Sequence, residues 1–144
     1  MSSYLNFYLV PKSKESQDVK PLLLKSYSRN SNVYQTFYEN INPIFIGNGD
    51  EPNYTELTSN LMCHVVNEVK DDLENTQKNF TARMEAYRSI KLEEDAFNRY
   101  VEDFQSTTEY IEELKSTVRT LETIASIIDD LEYSDFEKVL INID

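Results

Sequence analysis

The 144-residue sequence has little of what breaks a helix. It holds two glycines and four prolines, and all six lie at or before Pro52. The stretch 53–144 has neither. That excludes tight glycine or proline turns from the last two thirds and favours long helices there. Cys63 is the single cysteine, so no internal disulfide is possible. With two glycines, a glycine-rich phosphate loop is excluded. No serine sits in a nucleophile-elbow context. No apolar run approaches membrane-spanning length, and "MSSYLNFYLVPK" lacks the basic region of a secretory signal. Without such a signal, the sequons at Asn53 and Asn79 carry no weight.

Positive charge is scarce. Fourteen Lys and Arg face twenty-six Asp and Glu, for a formal net charge of −12. The imbalance is uneven. The chain up to Leu57 is close to neutral, and the excess of acid lies from Thr58 onward. A chain this acidic is repelled by nucleic acid and by anionic membranes, so neither is an expected direct partner. A basic protein is a better match.

The N-terminal third reads as short elements. In "YLNFYLV" (4–10), Leu5, Phe7 and Leu9 share one face of a strand, with Asn6 and Tyr8 on the other. "LLLKSYS" (22–28) reads as a second strand, antiparallel to the first across a polar loop. A short helix follows, capped by Asn30 or Ser31, with Val33, Tyr34, Phe37, Tyr38 and Ile41 at helical spacing and Pro43 ending it. "IFIGNGDEPNY" reads as a loop.

From Thr58 the apolar period lengthens to a heptad. Val66, Leu73, Phe80 and Tyr87 take position a of the first series. In the second, Phe97, Phe104, Ile111, Val118 and Ala125 take a, and Tyr100, Thr107, Leu114, Leu121 and Ile128 take d. The two series are out of phase across "RSIKLEEDAF" (88–97). The chain is expected to reverse near 89–93, with Ser89 capping the second helix. The alternative is a turn at "QSTTEY", where Ser106 and Glu109 have capping-box spacing. The reversal is favoured because the apolar stripe is wide at one end of each helix. Leu57, Leu61 and Val65 widen the first helix, and Ile124, Ile127 and Leu131 widen the second. A hairpin brings these two ends together over the small sheet. "SDFEKVLINID" (134–144) alternates and reads as a strand returning to that sheet.

Catalytic constellations are not apparent. His64 and Cys63 point about 100° apart on a helix, which does not bring base and nucleophile together. His64 with Glu68 and Asp71 or Asp72 on one exposed helix is a poor metal set. "GNGDE" (47–51) lacks the ligand spacing of a calcium loop. No catalytic residue, cofactor or metal site is expected. The stretch from Glu93 to Leu114 has eight acids and one base, Arg99. Glu102 and Glu109 share the outward f position, with Asp103, Glu112 and Glu113 nearby, so these five form a candidate partner-binding face.

"MSSYLNFYLVPK", "LLLKSYSRNSNVYQTFYENINP" and "SDFEKVLINID" resemble uncharacterised small coiled-coil proteins encoded by phages of gut bacteria. The resemblance spans most of the chain. It implies a bacterial cytoplasmic or virion-associated setting, and no activity, cofactor or binding residue.

The expected fold is α+β. Residues 1–57 and 134–144 form a small antiparallel sheet with a short helix, and 58–133 form a long antiparallel coiled-coil hairpin. The expected function is non-catalytic protein–protein interaction, as a structural or spacer element. Its expected partner is a protein, a basic one on grounds of charge, or a second copy met through the hairpin, because two helices leave Phe80, Phe97 and Phe104 partly uncovered. The alternative is an acidic inhibitor that imitates nucleic acid and blocks a nucleic-acid-binding protein.

Overall fold

A computed structural model describes residues 3–12, 20–45, 54–89 and 93–143, with the side chains of 41–45 outside the description. The elements run β1 (Tyr4–Pro11), β2 (Leu22–Ser28), α1 (Asn32–Phe45), β3 (Thr55–Glu56), α2 (Ser59–Arg88), α3 (Glu94–Asp129), a 3-10 turn (Leu131–Tyr133) and β4 (Phe136–Ile143). The fold is α+β: an antiparallel four-stranded sheet, one short helix and a long helical hairpin.

The strand order is β2-β1-β4-β3, so the first and last long strands lie side by side. Alternation decides which face each residue takes. Leu5 pairs with Ile143, Phe7 with Ile141 and Leu9 with Val139, and these six meet the helices. On β1, Asn6 turns to the other face as expected, yet it is buried, at 4% exposure. A buried amide has to be satisfied. Its Nδ2 donates to Asn142 Oδ1 at 3.0 Å and its Oδ1 accepts from Ser26 Oγ at 2.6 Å, tying three strands together. The outer strand β2 carries three exposed leucines, Leu22 to Leu24. Its register with β1 slips at Leu24, which has no partner there, and Lys25 follows. A bulge and a lysine both blunt an edge against stray pairing.

Local signals set the helix starts. Ser31 Oγ accepts from the backbone N–H of Tyr34 at 3.1 Å, and Thr58 Oγ1 from that of Leu61 at 3.2 Å. Both are side-chain caps on donors the helix leaves unpaired. The α1 helix does not stop at Pro43 but runs on to Phe45. A proline near a helix end forfeits one backbone bond, back to residue 39, without breaking the turns before it. The chain reverses between α2 and α3, and "QSTTEY" lies within α3. Ser89 serves the other helix from the one expected: it closes α2, with its N–H and its Oγ both donating to the Ala86 carbonyl. The second helix has Glu93 at its N-cap with no side-chain cap bond, and Glu94 and Asp95 sit in its first turn, where the helix dipole favours acids. The rest of the turn, 90–92, and the "GNGDE" loop lie outside the described residues. The two-residue strand β3, not foreseen in the sequence, pairs Thr55 and Glu56 with Ile141 and Leu140.

The wide apolar ends do meet. Leu57, Met62, Val65, Val66 and Val69 from the start of the hairpin join Leu121, Ile124 and Ile128 from its end in one buried cluster. Leu5, Phe7, Val139 and Ile141 of the sheet and Val33, Tyr34 and Phe37 of α1 complete it. Phe7 stands edge-on to both Phe37 and Tyr27. Contacts across the hairpin run in antiparallel order. Ser59 Oγ donates to Asp129, Lys70 pairs with Glu122 at 2.9 Å, and Arg83 pairs with Asp103 at 3.0 Å.

Candidate functional site

Three features of the hairpin are distinctive: a clasp, an acidic cleft and an open flank. At 1.5 Å per residue the 30 residues of α2 extend roughly 45 Å, well beyond the sheet's reach. Past Val69 in α2 and before Ile111 in α3, no described side chain is buried. The seam there is aromatic. Phe80 meets Phe104 at 5.8 Å between centroids, Tyr87 meets Tyr100 edge-on at 5.2 Å, and Tyr100 lies between Phe97 and Phe104.

One flank of this distal seam is closed by the clasp. Arg83 Nε and a terminal guanidinium nitrogen donate to the two carboxylate oxygens of Asp103, at 3.0 and 3.1 Å, and Thr107 Oγ1 completes the group. Bidentate guanidinium–carboxylate pairing fixes orientation as well as proximity. The hydrogen bond from Arg83 holds the Asp103 carboxyl below its ordinary range, and the same bond holds the Arg83 guanidinium above its own.

Nearer the base on that flank, α1 packs across the hairpin and leaves a cleft of about 470 Å³. Glu39 of α1 and Glu68 and Asp72 of α2 line it, with Tyr110 of α3. The Tyr110 hydroxyl donates to Asp72 Oδ2 at 2.8 Å. Burial first, then that bond and the nearby Glu39 and Glu113 carboxylates, push Tyr110 up to about 12. Among the described residues no group of three or more His, Cys, Asp and Glu side chains is placed to hold a metal. Cys63 and His64 are both exposed, and Asn67 Nδ2 reaches Cys63 Sγ at 3.6 Å.

Among the described residues, the opposite flank is open along the arm. Near the base, Cys63, Val66 and Asn67 of α2 face Ala125 and Ser126 of α3 across a shallow groove that the Lys70–Glu122 pair also lines, with no described α1 side chain in its wall. Near the tip, Phe97 is 52% and Phe104 45% exposed. Residues three and four apart lie together on a helix, so Val101 joins both rings in one stripe. Phe80, the third ring expected to be uncovered, is half-buried.

The five acids of the candidate face differ in their neighbours. Asp103 belongs to the clasp. Glu112 pairs with Lys115 at 3.5 Å, and Glu113 accepts from Asn32 Nδ2 of α1 at 3.2 Å. Glu102 and Glu109 are exposed, and neither makes an ion pair among the described residues. The cleft around Tyr110 was not foreseen. It joins Glu39 to residues far along the chain, a juxtaposition that no local spacing signals.

No protein-family model, curated protein or solved structure matches the chain. No helix among the described residues is long and apolar enough to cross a membrane.

Proposed function

We propose that this is a non-catalytic interaction protein. The sheet and α1 anchor a rigid arm, and the arm's open flank is the contact surface. The observation that carries this reading is the pair of large aromatic rings left about half exposed on one helical face, Phe97 and Phe104. Aromatic anchors surrounded by polar residues are where binding energy concentrates in protein interfaces. The buried cluster ends at Val69 in α2 and begins again at Ile111 in α3, so the distal part of the arm is free of the task of completing the core.

The acidic-inhibitor reading keeps one supporting observation: Glu102 and Glu109 face outward, seven residues apart. That is roughly 10 Å along the helix. Of the other three, Asp103 is held in the clasp, Glu112 has Lys115 at 3.5 Å and Glu113 accepts from Asn32, so the aromatic flank is preferred.

Site-specific photo-crosslinking separates the two readings. A photoreactive residue in place of Phe104 should give protein adducts in the native cell, and one in place of Glu109 should give few. The reverse pattern would favour the acidic face.

A further inference from the structure

We infer that the base carries a binding pocket for a small aromatic carboxylate, separate from the arm and its open flank. The pocket is walled by four parts of the chain. Ser3 lies ahead of β1, Arg29 between β2 and α1, Tyr34, Gln35 and Tyr38 on α1, and Ile143 at the end of β4. They enclose about 320 Å³, near the small end of the range for small-molecule sites.

A buried hydroxyl carries the inference. Tyr34 is 5% exposed and belongs to the core cluster. Its ring stacks on that of Tyr38, and its backbone N–H is taken by Ser31 Oγ. Its hydroxyl has no hydrogen-bond partner among the described residues. Burying a hydroxyl without a partner is costly, and buried tyrosines usually find one. On the same helix, Val33 and Phe37 fill the core as plain hydrocarbon, so packing alone asks for no hydroxyl at position 34. The pocket is where Tyr34 borders space that protein does not fill. A ligand there supplies the missing acceptor.

Arg29 sets the charge of that ligand. Its backbone is tied down: the N–H donates to the Ser3 carbonyl at 3.1 Å, and the carbonyl accepts from Gln35 Nε2 at 2.7 Å. Its guanidinium makes no ion pair among the described residues. None of the six wall residues is acidic, in a chain of net charge −12. A free guanidinium beside a hydroxyl donor suits a carboxylate, whose two oxygens can take one bond from each. Tyr38, 37% exposed, and Ile143 give the rest of the wall an apolar surface against which a flat ring can lie.

Proton–nitrogen correlation spectra of the full chain, titrated with benzoate, test this. Benzamide keeps the ring without the charge, and inorganic phosphate keeps the charge without the ring. Benzoate should bind saturably at millimolar concentration, moving the Arg29 backbone and Gln35 side-chain signals, with both comparison probes roughly tenfold weaker or more. Tyr34→Phe should weaken benzoate roughly tenfold. It should leave the ligand-free chain no less heat-stable, because the hydroxyl it removes has no partner in the fold. Arg29→Gln, at an exposed position, should abolish binding. An absence of saturable shifts overturns the inference, as do shifts that survive both substitutions. A ligand-free Tyr34→Phe chain that melts earlier overturns it too, since the hydroxyl would then be satisfied within the chain. Phosphate or benzamide binding as tightly as benzoate overturns the aromatic carboxylate.

Discussion

The two halves of the hairpin are built from the same helices and held by different means. In the base half, α2 contributes Met62, Val65, Val66 and Val69 and α3 contributes Leu114, Leu121, Ile124 and Ile128, all buried against the sheet and α1. In the distal half the same two helices face mainly each other. Aromatic rings and one guanidinium–carboxylate clasp replace the aliphatic cluster. A helix pair with a third layer over it can bury a broad stripe, whereas a bare pair buries a narrow one and leaves the flanks wet. The stability of this molecule should therefore be graded along the arm, with the tip the first part to open.

Truncations at the two ends test that gradient most directly. Leu121 is fully buried, and Leu121→Ala should cost about 2–5 kcal/mol in urea unfolding. The larger truncation Phe80→Ala, in the half-buried tip, should cost less, about 1–2 kcal/mol. Equal costs would mean that the arm folds as one uniform unit and the comparison fails.

The clasp should matter less, and its effect should depend on pH. Both members are near the surface, so Asp103→Asn is expected to cost under about 1 kcal/mol at neutral pH. The Asp103 pKa is lowered in the fold. Its contribution is therefore present above the unfolded carboxyl value, about 3.9, and is lost as pH falls through the lower folded value. Wild-type stability should drop more steeply below pH ~4 than that of Asp103→Asn. Parallel acid profiles would show that the clasp adds nothing.

The smallest effect belongs to Tyr110, where α1 meets the hairpin. Its pKa of about 12 lies above the ordinary tyrosine value, so its stabilising effect is complete below the unfolded value and fades as pH rises through 12. In a spectrophotometric titration Tyr110 should ionise late, as should Tyr27, which burial also raises, and Asp72→Asn should bring Tyr110 earlier without moving Tyr27. A titration unchanged by Asp72→Asn would place the cause elsewhere.

Much of this architecture could be read from residue order. The two flanking strands, the α1 start at Ser31, the start of α2 after Thr58 and the meeting of the wide apolar ends all follow from periodicity and capping, which are local properties. Other features could not. Asn6 alternates onto the sheet's other face as its position demands, but its burial depends on Ser26 and Asn142, which arrive from β2 and β4. Ser89 is a competent cap for either helix, and the position of the reversal gave it to α2. Five acids near one another in sequence look like one surface. Arg83, arriving from α2, takes one of them, Asp103, into the clasp.

The sequence by itself determined that this chain would fold back into a long hairpin and hold both of its ends in one sheet. Heptad phase, the absence of glycine and proline after Pro52, and strand alternation act over a few residues at a time, so they can be read in order. Tertiary structure alone decided which flank of the arm α1 would cover. That choice depends on which side of the helix pair the α1 helix packs against, a contact between segments far apart in the chain that no local pattern encodes.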